Sequence, residues 1–530
     1  MNRFALAAGF FPPATRPVSG AELADLLDRV DAAALGGAAP ALADDAEYAR
    51  LLWLRARFRG ESGLTWSGCP CKTHPPRVRI GGRVLAGFSG LGDVVPDEGG
   101  LGWPAGTNLA FEPAVEAAAG VFWTAVTWRL SGRLAAGGVD FAGTDGTDPL
   151  TWPDWHPGTG RRDTRDWRLD DGAWRGRLTR AVVGARLGRW ALSLGWDQRL
   201  TGPGLSGDLN LDHGGLAFPA LTARRTAPFR WSGIMTHLAP DDALLRVGQL
   251  SRREVRYADP FGNHFKQARP WFFQWLVGWN VTSWFRAHAT HTVMATARDG
   301  TLWPDLLQIN FPVIGTTWRE GESGPITDRI FSVQFEFRWR DAPWPVLPAE
   351  AGRLYWNYGG TDFLPSGPWG VVPEISIPAS VAGCELLSAA WDAAFEISEL
   401  WHDKGLWYSN GGYVEGYTHE GTLIGHPHGG SSEGFMGLLR WRPGARRWEW
   451  VARGEGLRWG TPGLTPGSGS RRGLGLSLRR RPLAGTAPAI WEVGVEWFRE
   501  KADPESYEPD HTTASLVSRD WWRLTCRIGI

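Results

Sequence analysis

Long apolar runs are missing from this 530-residue chain. No stretch approaches the ~18 consecutive apolar residues that a membrane-spanning helix needs, so helical membrane proteins are excluded. Net charge is also missing. The 56 basic and 56 acidic residues cancel, which leaves no overall field to recruit nucleic acid or an anionic surface. Lysine is scarce: only Lys72, Lys266, Lys404 and Lys501 occur, so nearly every cation is Arg, the planar, weakly hydrated cation suited to bidentate pairing. Four cysteines build no disulfide framework. Cys69-Pro70-Cys71 with His74 lacks the second ligand pair of a closed zinc site and reads as free thiols or one local disulfide. The phosphate-binding G-x-x-x-x-G-K-[ST] and the zinc motif H-E-x-x-H are both absent. No repeat of fixed period appears, which argues against propellers and solenoids. Neither a metal nor a cofactor is expected.

What is present is strict alternation. Residues 331–340 place Phe331, Val333, Phe335, Phe337 and Trp339 on one face of a strand and Ser332, Gln334, Glu336, Arg338 and Arg340 on the other. A strand crossing a bilayer needs about 9–11 residues, with apolar groups toward lipid and polar groups toward the lumen. The pattern recurs at Trp190–Trp196, at Trp491–Phe498, and at Trp522–Ile530, where the chain stops on an apolar residue of an amphipathic strand. A soluble sandwich also shows one polar face, so recurrence decides more than perfection, and tryptophan adds a second clue, with a Trp-rich soluble core or a carbohydrate-stacking surface as the other reading. There are 33 Trp against 8 Tyr, many bracketing these segments, as expected for rings marking two membrane interfaces. Since hydrocarbon tolerates only helices and closed barrels, the chain reads as an all-β transmembrane barrel of antiparallel strands in the outer membrane. The short run Phe4–Phe11 falls below secretory-signal length, so an exported precursor is expected to carry its signal upstream or to keep this run as a remnant.

Two regions follow. Residues 1–60 form an N-terminal helical segment: Ser19 caps a helix with Glu22 at its third position, Leu23, Leu26, Leu27 and Val30 supply an apolar stripe, and a second helix spans 43–58. Residues 61–530 form the barrel, with short turns at one end and long Gly- and Pro-rich loops at the other.

Three segments together resemble the Wzi capsule assembly family. Gly202-Pro203-Gly204 leads into Leu209-Asn210-Leu211 and Phe218-Pro219, with Thr201 where a Trp is expected; residues 354–365 read LYWNYGGTDFLP and contain Asp362; residues 413–433 read YVEGYTHEGTLIGHPHGGSSE and contain Gly425. The resemblance implies 18 strands, a small helical bundle plugging the periplasmic end, and folded loops at the outer end. It also implies a lectin-like function without chemistry: binding capsular or other exported polysaccharide that separate export machinery delivers, and attaching it at the cell surface. Sugars stack their C–H faces on aromatic rings and pair their hydroxyls with charged and imidazole groups. Such groups concentrate at Asp403, Trp407, Tyr408, Tyr413, Tyr417, His419, His426 and His428, the expected polysaccharide site. Two alternatives stay open: a diffusion porin or transporter, and a barrel-embedded lipid or ester hydrolase using His426 or His428 with Ser431, Ser432 and Glu433. Outer-membrane lipid is an expected partner and nucleic acid is not.

Overall fold

The computed structural model describes the strands and parts of their connections between residues 77 and 529. Residues 1–76, 90–105, 137–173, 303–324, 504–516 and shorter stretches elsewhere lie outside the described residues. The helices expected within 1–60, and Cys69 and Cys71, fall in that outside set.

Eighteen antiparallel strands close into one barrel. In chain order the strands begin β1 (Arg77–Ser89), β2 (Gly106–Ala119), β3 (Phe122–Ala136), β4 (Trp174–Leu187), β5 (Trp190–Trp196), β6 (Pro219–Arg225) and β7 (Asp242–Gln249). A hairpin of β8 (Arg253–Asp259) and β9 (Gly262–Ala268) stands outside the wall, which resumes with β10 (Trp271–Asn280), β11 (Phe285–Thr296), β12 (Ile326–Arg340) and β13 (Ala351–Thr361). A small hairpin of β14 (Leu364–Ser366) and β15 (Val372–Glu374) precedes β16 (Ile377–Leu387) and β17 (Trp391–Glu399). The two-residue β18 (Thr418–His419) and β19 (Thr422–Leu423) lie in the next connection. The wall finishes with β20 (Ser432–Trp441), β21 (Trp448–Trp459), β22 (Ser468–Arg480), β23 (Ile490–Asp503) and β24 (Val517–Gly529). Closure comes from β24 against β1, running from Arg83 opposite Gly529 to Ser89 opposite Arg523, so no edge of the sheet is left to lipid.

The alternation read from the sequence sets the two faces. On β12, Ser332, Gln334 and Glu336 are buried inside while Phe335 and Phe337 turn outward, and on β5 Leu194 and Trp196 are exposed while Ser193 is buried. Tight connections at 120–121, 188–189, 281–284 and 388–390 share the end where both termini of the barrel lie; the 197–218, 250–270, 297–325 and 400–431 connections share the other. Gly188 makes its turn with φ 60°, a conformation open to Gly at no steric cost. Outward Trp rings mark both ends, with Trp284, Trp441 and Trp448 near the tight turns and Trp174, Trp196 and Trp271 opposite.

One expectation fails in detail. The polar face of β12 meets packed protein and not a wet lumen, because residues 202–211 fold inside the barrel. The outer face is also covered locally. Phe273, Val293 and Ala295 on β10 and β11 pack against Leu302 from the following connection.

Candidate functional site

The candidate site is built from three layers at the long-loop end: an inner segment, a loop folded over it, and a hairpin on top.

The inner segment, Gly202-Pro203-Gly204-Leu205-Ser206-Gly207-Asp208-Leu209-Asn210-Leu211, is held by the wall. Asn357 and Gln334 donate to the Asp208 carboxylate, the latter at 3.5 Å. Asn210 Nδ2 donates to Ile330 O at 3.2 Å and to Thr292 Oγ1 at 3.3 Å, while Ser332 Oγ donates to Asn210 Oδ1. Glu396 accepts from the backbone N–H groups of Leu205 and Ser206 and from the Ser206 hydroxyl, and Tyr355 Oη donates to it at 2.6 Å. Arg353 joins Glu336 at 2.9 Å and Glu385 at 2.8 Å and donates to Pro203 O at 2.9 Å. All of these anchors except the Ile330 carbonyl are polar side chains pointing inward from a strand, which is what a buried non-sheet backbone requires.

The loop 400–431 lies on that segment. Trp407, Tyr408 and Tyr417 are 0% exposed and Tyr413 1%. Their apolar rings join Leu209, Leu211, Phe218, Phe272 and Ile424 in one cluster. Each polar tip finds a carbonyl: Trp407 Nε1 donates to Ile377 O at 3.0 Å, Tyr408 to Leu209 O at 2.7 Å, Tyr413 to Ile326 O at 2.8 Å, and Tyr417 to Asn210 O at 2.7 Å. Gly425 is demanded by closeness, since a Cβ there would lie 2.4 Å from the Tyr408 ring. The expected site residues therefore do come together, but with their faces turned inward; no sugar reaches these four rings without displacing the loop. Asp403 and Asp362 lie outside the described residues.

His419 and His426 are buried as well, and His428 is half-buried. Burial holds His428 down to about 4, with Glu455 opposing and Arg471 and Arg453 reinforcing the shift. His419 is held at about 3 by burial, with Arg253 and Arg177 adding repulsion, and its Nδ1 accepts the Ser251 N–H at 3.0 Å. His428 N–H donates to His426 Nδ1 at 3.3 Å, so His426 presents Nε2–H to Ser206 Oγ at 3.1 Å. That polarity is wrong for a general base: the Ser206 hydroxyl gives its proton to Glu396, and His426 has no lone pair to offer it. Ser432 points its hydroxyl at Gly429 O, 3.1 Å away, and Glu433 pairs with exposed Arg458 at 3.0 Å. Ser431 lies outside the described residues, and the remaining members of the hydrolase arrangement are not assembled.

Exposed groups appear in the third layer. The β8–β9 hairpin hangs on the loop below through Arg256 N–H to Gly412 O at 2.8 Å and a bridge between Val255 and Tyr413. Its inner face carries Val255, Tyr257, His264 and Lys266; Tyr257 and His264 stack at 5.2 Å, and Lys266 donates to Arg298 O at 2.6 Å. Its outer face carries Glu254, Arg256, Asn263, Phe265 and Gln267. Phe265 is 60% exposed, with the Arg256 guanidinium 5.2 Å from its ring and Glu254 3.1 Å from Arg256. The sequence reading missed this platform, although alternation around the turn Asp259-Pro260-Phe261-Gly262 was the signal that could have found it.

The sequence model of the family described as capsule assembly protein Wzi matches residues 115–442. Among solved structures, one titled as Wzi, an outer-membrane protein involved in group 1 capsule assembly in Escherichia coli and a carbohydrate-binding β-barrel, is similar with TM-score 0.60 and 13% identity, over 99% of this chain and 96% of that one. Acinetobacter baumannii OccAB2 has TM-score 0.47 and 11% identity over 86% of this chain and 98% of that one. Pseudomonas aeruginosa OpdK with vanillate has TM-score 0.46 and 10% identity over the same shares. At these identities the structural likeness concerns the fold alone. A comparison with curated proteins finds no match. With 18 strands, an inner segment built on the Gly-Pro-Gly motif and a family match over more than half of its length, this chain belongs to the Wzi capsule assembly family.

Proposed function

We propose that this barrel sits in the outer membrane, binds exported polysaccharide at its long-loop mouth and retains it at the cell surface without catalysis. Family membership and a barrel with lipid-suited walls support the location and the class of ligand. The observation that carries the binding reading is the outer face of the β8–β9 hairpin: an exposed ring flanked by a guanidinium, a carboxylate and two amides. A pyranose offers an apolar C–H face and a fringe of hydroxyls, and this surface meets both. The buried Trp407, Tyr408, Tyr413 and Tyr417 then serve by fixing the loop on which the hairpin stands, with His419, His426 and His428 as its internal hydrogen-bonding groups.

A glycan array on folded protein tests this. Phe265→Ala with Arg256→Ala should lower glycan binding at least tenfold and release capsule into the medium while heat-modifiable gel mobility stays as in the wild type. Full glycan binding by that double variant would move the site off the hairpin, and absence of glycan binding by the wild type would remove the lectin reading altogether.

A further inference from the structure

One corner of the outer wall differs from the rest. Strands β5, β6 and β7 have 7, 7 and 8 residues, while β3 and β12 have 15 each. A 7-residue strand is about 24 Å long. Tilted at ~40°, it covers roughly 18 Å of the membrane normal, less than the apolar band of about 25 Å around such barrels. Beside it, on the end with the tight turns, a groove of about 510 Å³ opens on the lipid face, lined by apolar side chains including Val78, Phe122, Val183, Leu192, Leu194 and Leu221. All but Leu192 are 53 to 69% exposed.

Cations stand just outside the mouth of the groove. Trp190 pairs with Arg225, Leu192 with Ala223 and Leu194 with Leu221, so Arg225 lies one two-residue step, about 7 Å, closer to the barrel rim than Leu192. Its guanidinium sits over the Phe229 ring at 3.7 Å and the Trp190 ring at 5.7 Å, an aromatic cradle of the kind found at membrane interfaces. Arg189 stands in the adjoining turn, immediately before Trp190, the residue opposite Arg225. The two segments forming this corner, residues 184–196 and 218–230, contain no Asp or Glu.

We propose that this corner binds an anionic phospholipid of the periplasmic leaflet, its phosphate between Arg189 and Arg225 and one acyl chain in the groove. Short turns face the periplasm in barrels of this type, so headgroup and chain follow the order of a lipid in that leaflet: charge at the rim, hydrocarbon toward the midplane. The same geometry disfavours a second copy of the chain, because a symmetric contact would set Arg against Arg with no carboxylate from these segments to pair them. A bound lipid also answers the low wall, since filling the groove lets the bilayer thin locally around short strands. The chain carries no net charge, so the selectivity would be local.

Native mass spectrometry of the full chain in detergent, titrated separately with phosphatidylglycerol and phosphatidylcholine, tests the site. The wild type should retain phosphatidylglycerol at least tenfold more tightly, and Arg189→Gln with Arg225→Gln should abolish that preference. Val183→Trp, which fills the groove and leaves both cations, should weaken phosphatidylglycerol binding independently. Millimolar inorganic phosphate should fail to displace the lipid; displacement would mean a simple anion site and overturn the acyl-chain half. Equal retention of the two lipids by the wild type, an unchanged preference in a variant that keeps heat-modifiable mobility, or dimers that exclude lipid would overturn the proposal.

Discussion

Tyr408 is the residue on which the loop over the barrel mouth turns. Its backbone has φ 59°, a left-handed conformation disfavoured for a bulky side chain, and its hydroxyl both donates to Leu209 O and accepts the His426 N–H at 2.8 Å. Tyr408→Phe leaves a buried carbonyl and a buried N–H without this partner, at about 1–3 kcal/mol each. Gly425→Ala drives a methyl into the ring. Both variants should raise hydrogen exchange across 417–430 while the strands keep their protection; unchanged exchange would show that the loop is held elsewhere. The histidines add a pH dependence. His419 and His428 titrate below the ordinary histidine value, at about 3 and about 4, so from about 6.5 down to about 3 the opened loop binds more protons than the closed one. The stability they confer is complete above that range and lost as pH falls through it. Exchange corrected for intrinsic rate should therefore rise from pH 7 to pH 4.5, and a flat profile would contradict the buried, neutral imidazoles.

At the scale of elements, the strands were legible where lipid alone dictates the outer face. β5, β12, β23 and β24 show their alternation because nothing competes with hydrocarbon there. β11 does not. Its final residues, Val293 and Ala295 outside and Thr292 and Met294 inside, are all buried, since Leu302 covers one face and the inner segment the other. The candidate site was legible as a cluster and illegible as a geometry. Tyr408, Tyr417 and His426 were picked out by type, yet their facing is decided by Leu209, Asn210 and Ser206, some two hundred positions away in the chain. The same distance hid the inner segment, whose Gly-Pro-Gly motif marks a bend but not what surrounds it. A prediction belongs to β12: Phe335→Arg places a cation toward lipid and should cost about 2–4 kcal/mol near the midplane, visible as a loss of heat-modifiable folded species. Phe335→Leu should assemble normally. Equal yields of folded protein for Arg and Leu would mean that this face does not meet lipid.

For the whole molecule, the question is whether the lumen conducts, and the answer rests on one buried ion cluster. Arg353 bonds Glu336, Glu385 and Pro203 O at 1% exposure, tying β12, β13 and β16 to the inner segment, while Glu396 ties β17 to residues 205 and 206. A porin needs a continuous water path, and here ten residues of packed backbone occupy the side of the lumen facing β11 to β17. Wild-type barrels in planar bilayers should accordingly give little single-channel current. Breaking a buried charge cluster by removing one sign is costly, of order 3–5 kcal/mol, because the remaining charges are left uncompensated in low dielectric. In Arg353→Met, Glu336 and Glu385 lose that partner together, and water entry is their means of relief. Combined with Glu396→Gln, which weakens the acceptor of three donors from the segment, the change should release residues 202–211 from the wall. The double variant should then pass a measurable current while its strands still assemble, read from gel mobility in the same preparation. A folded double variant that stays silent would place the barrier outside this segment, and a conducting wild type would return the diffusion-porin reading in place of the retained-polysaccharide one.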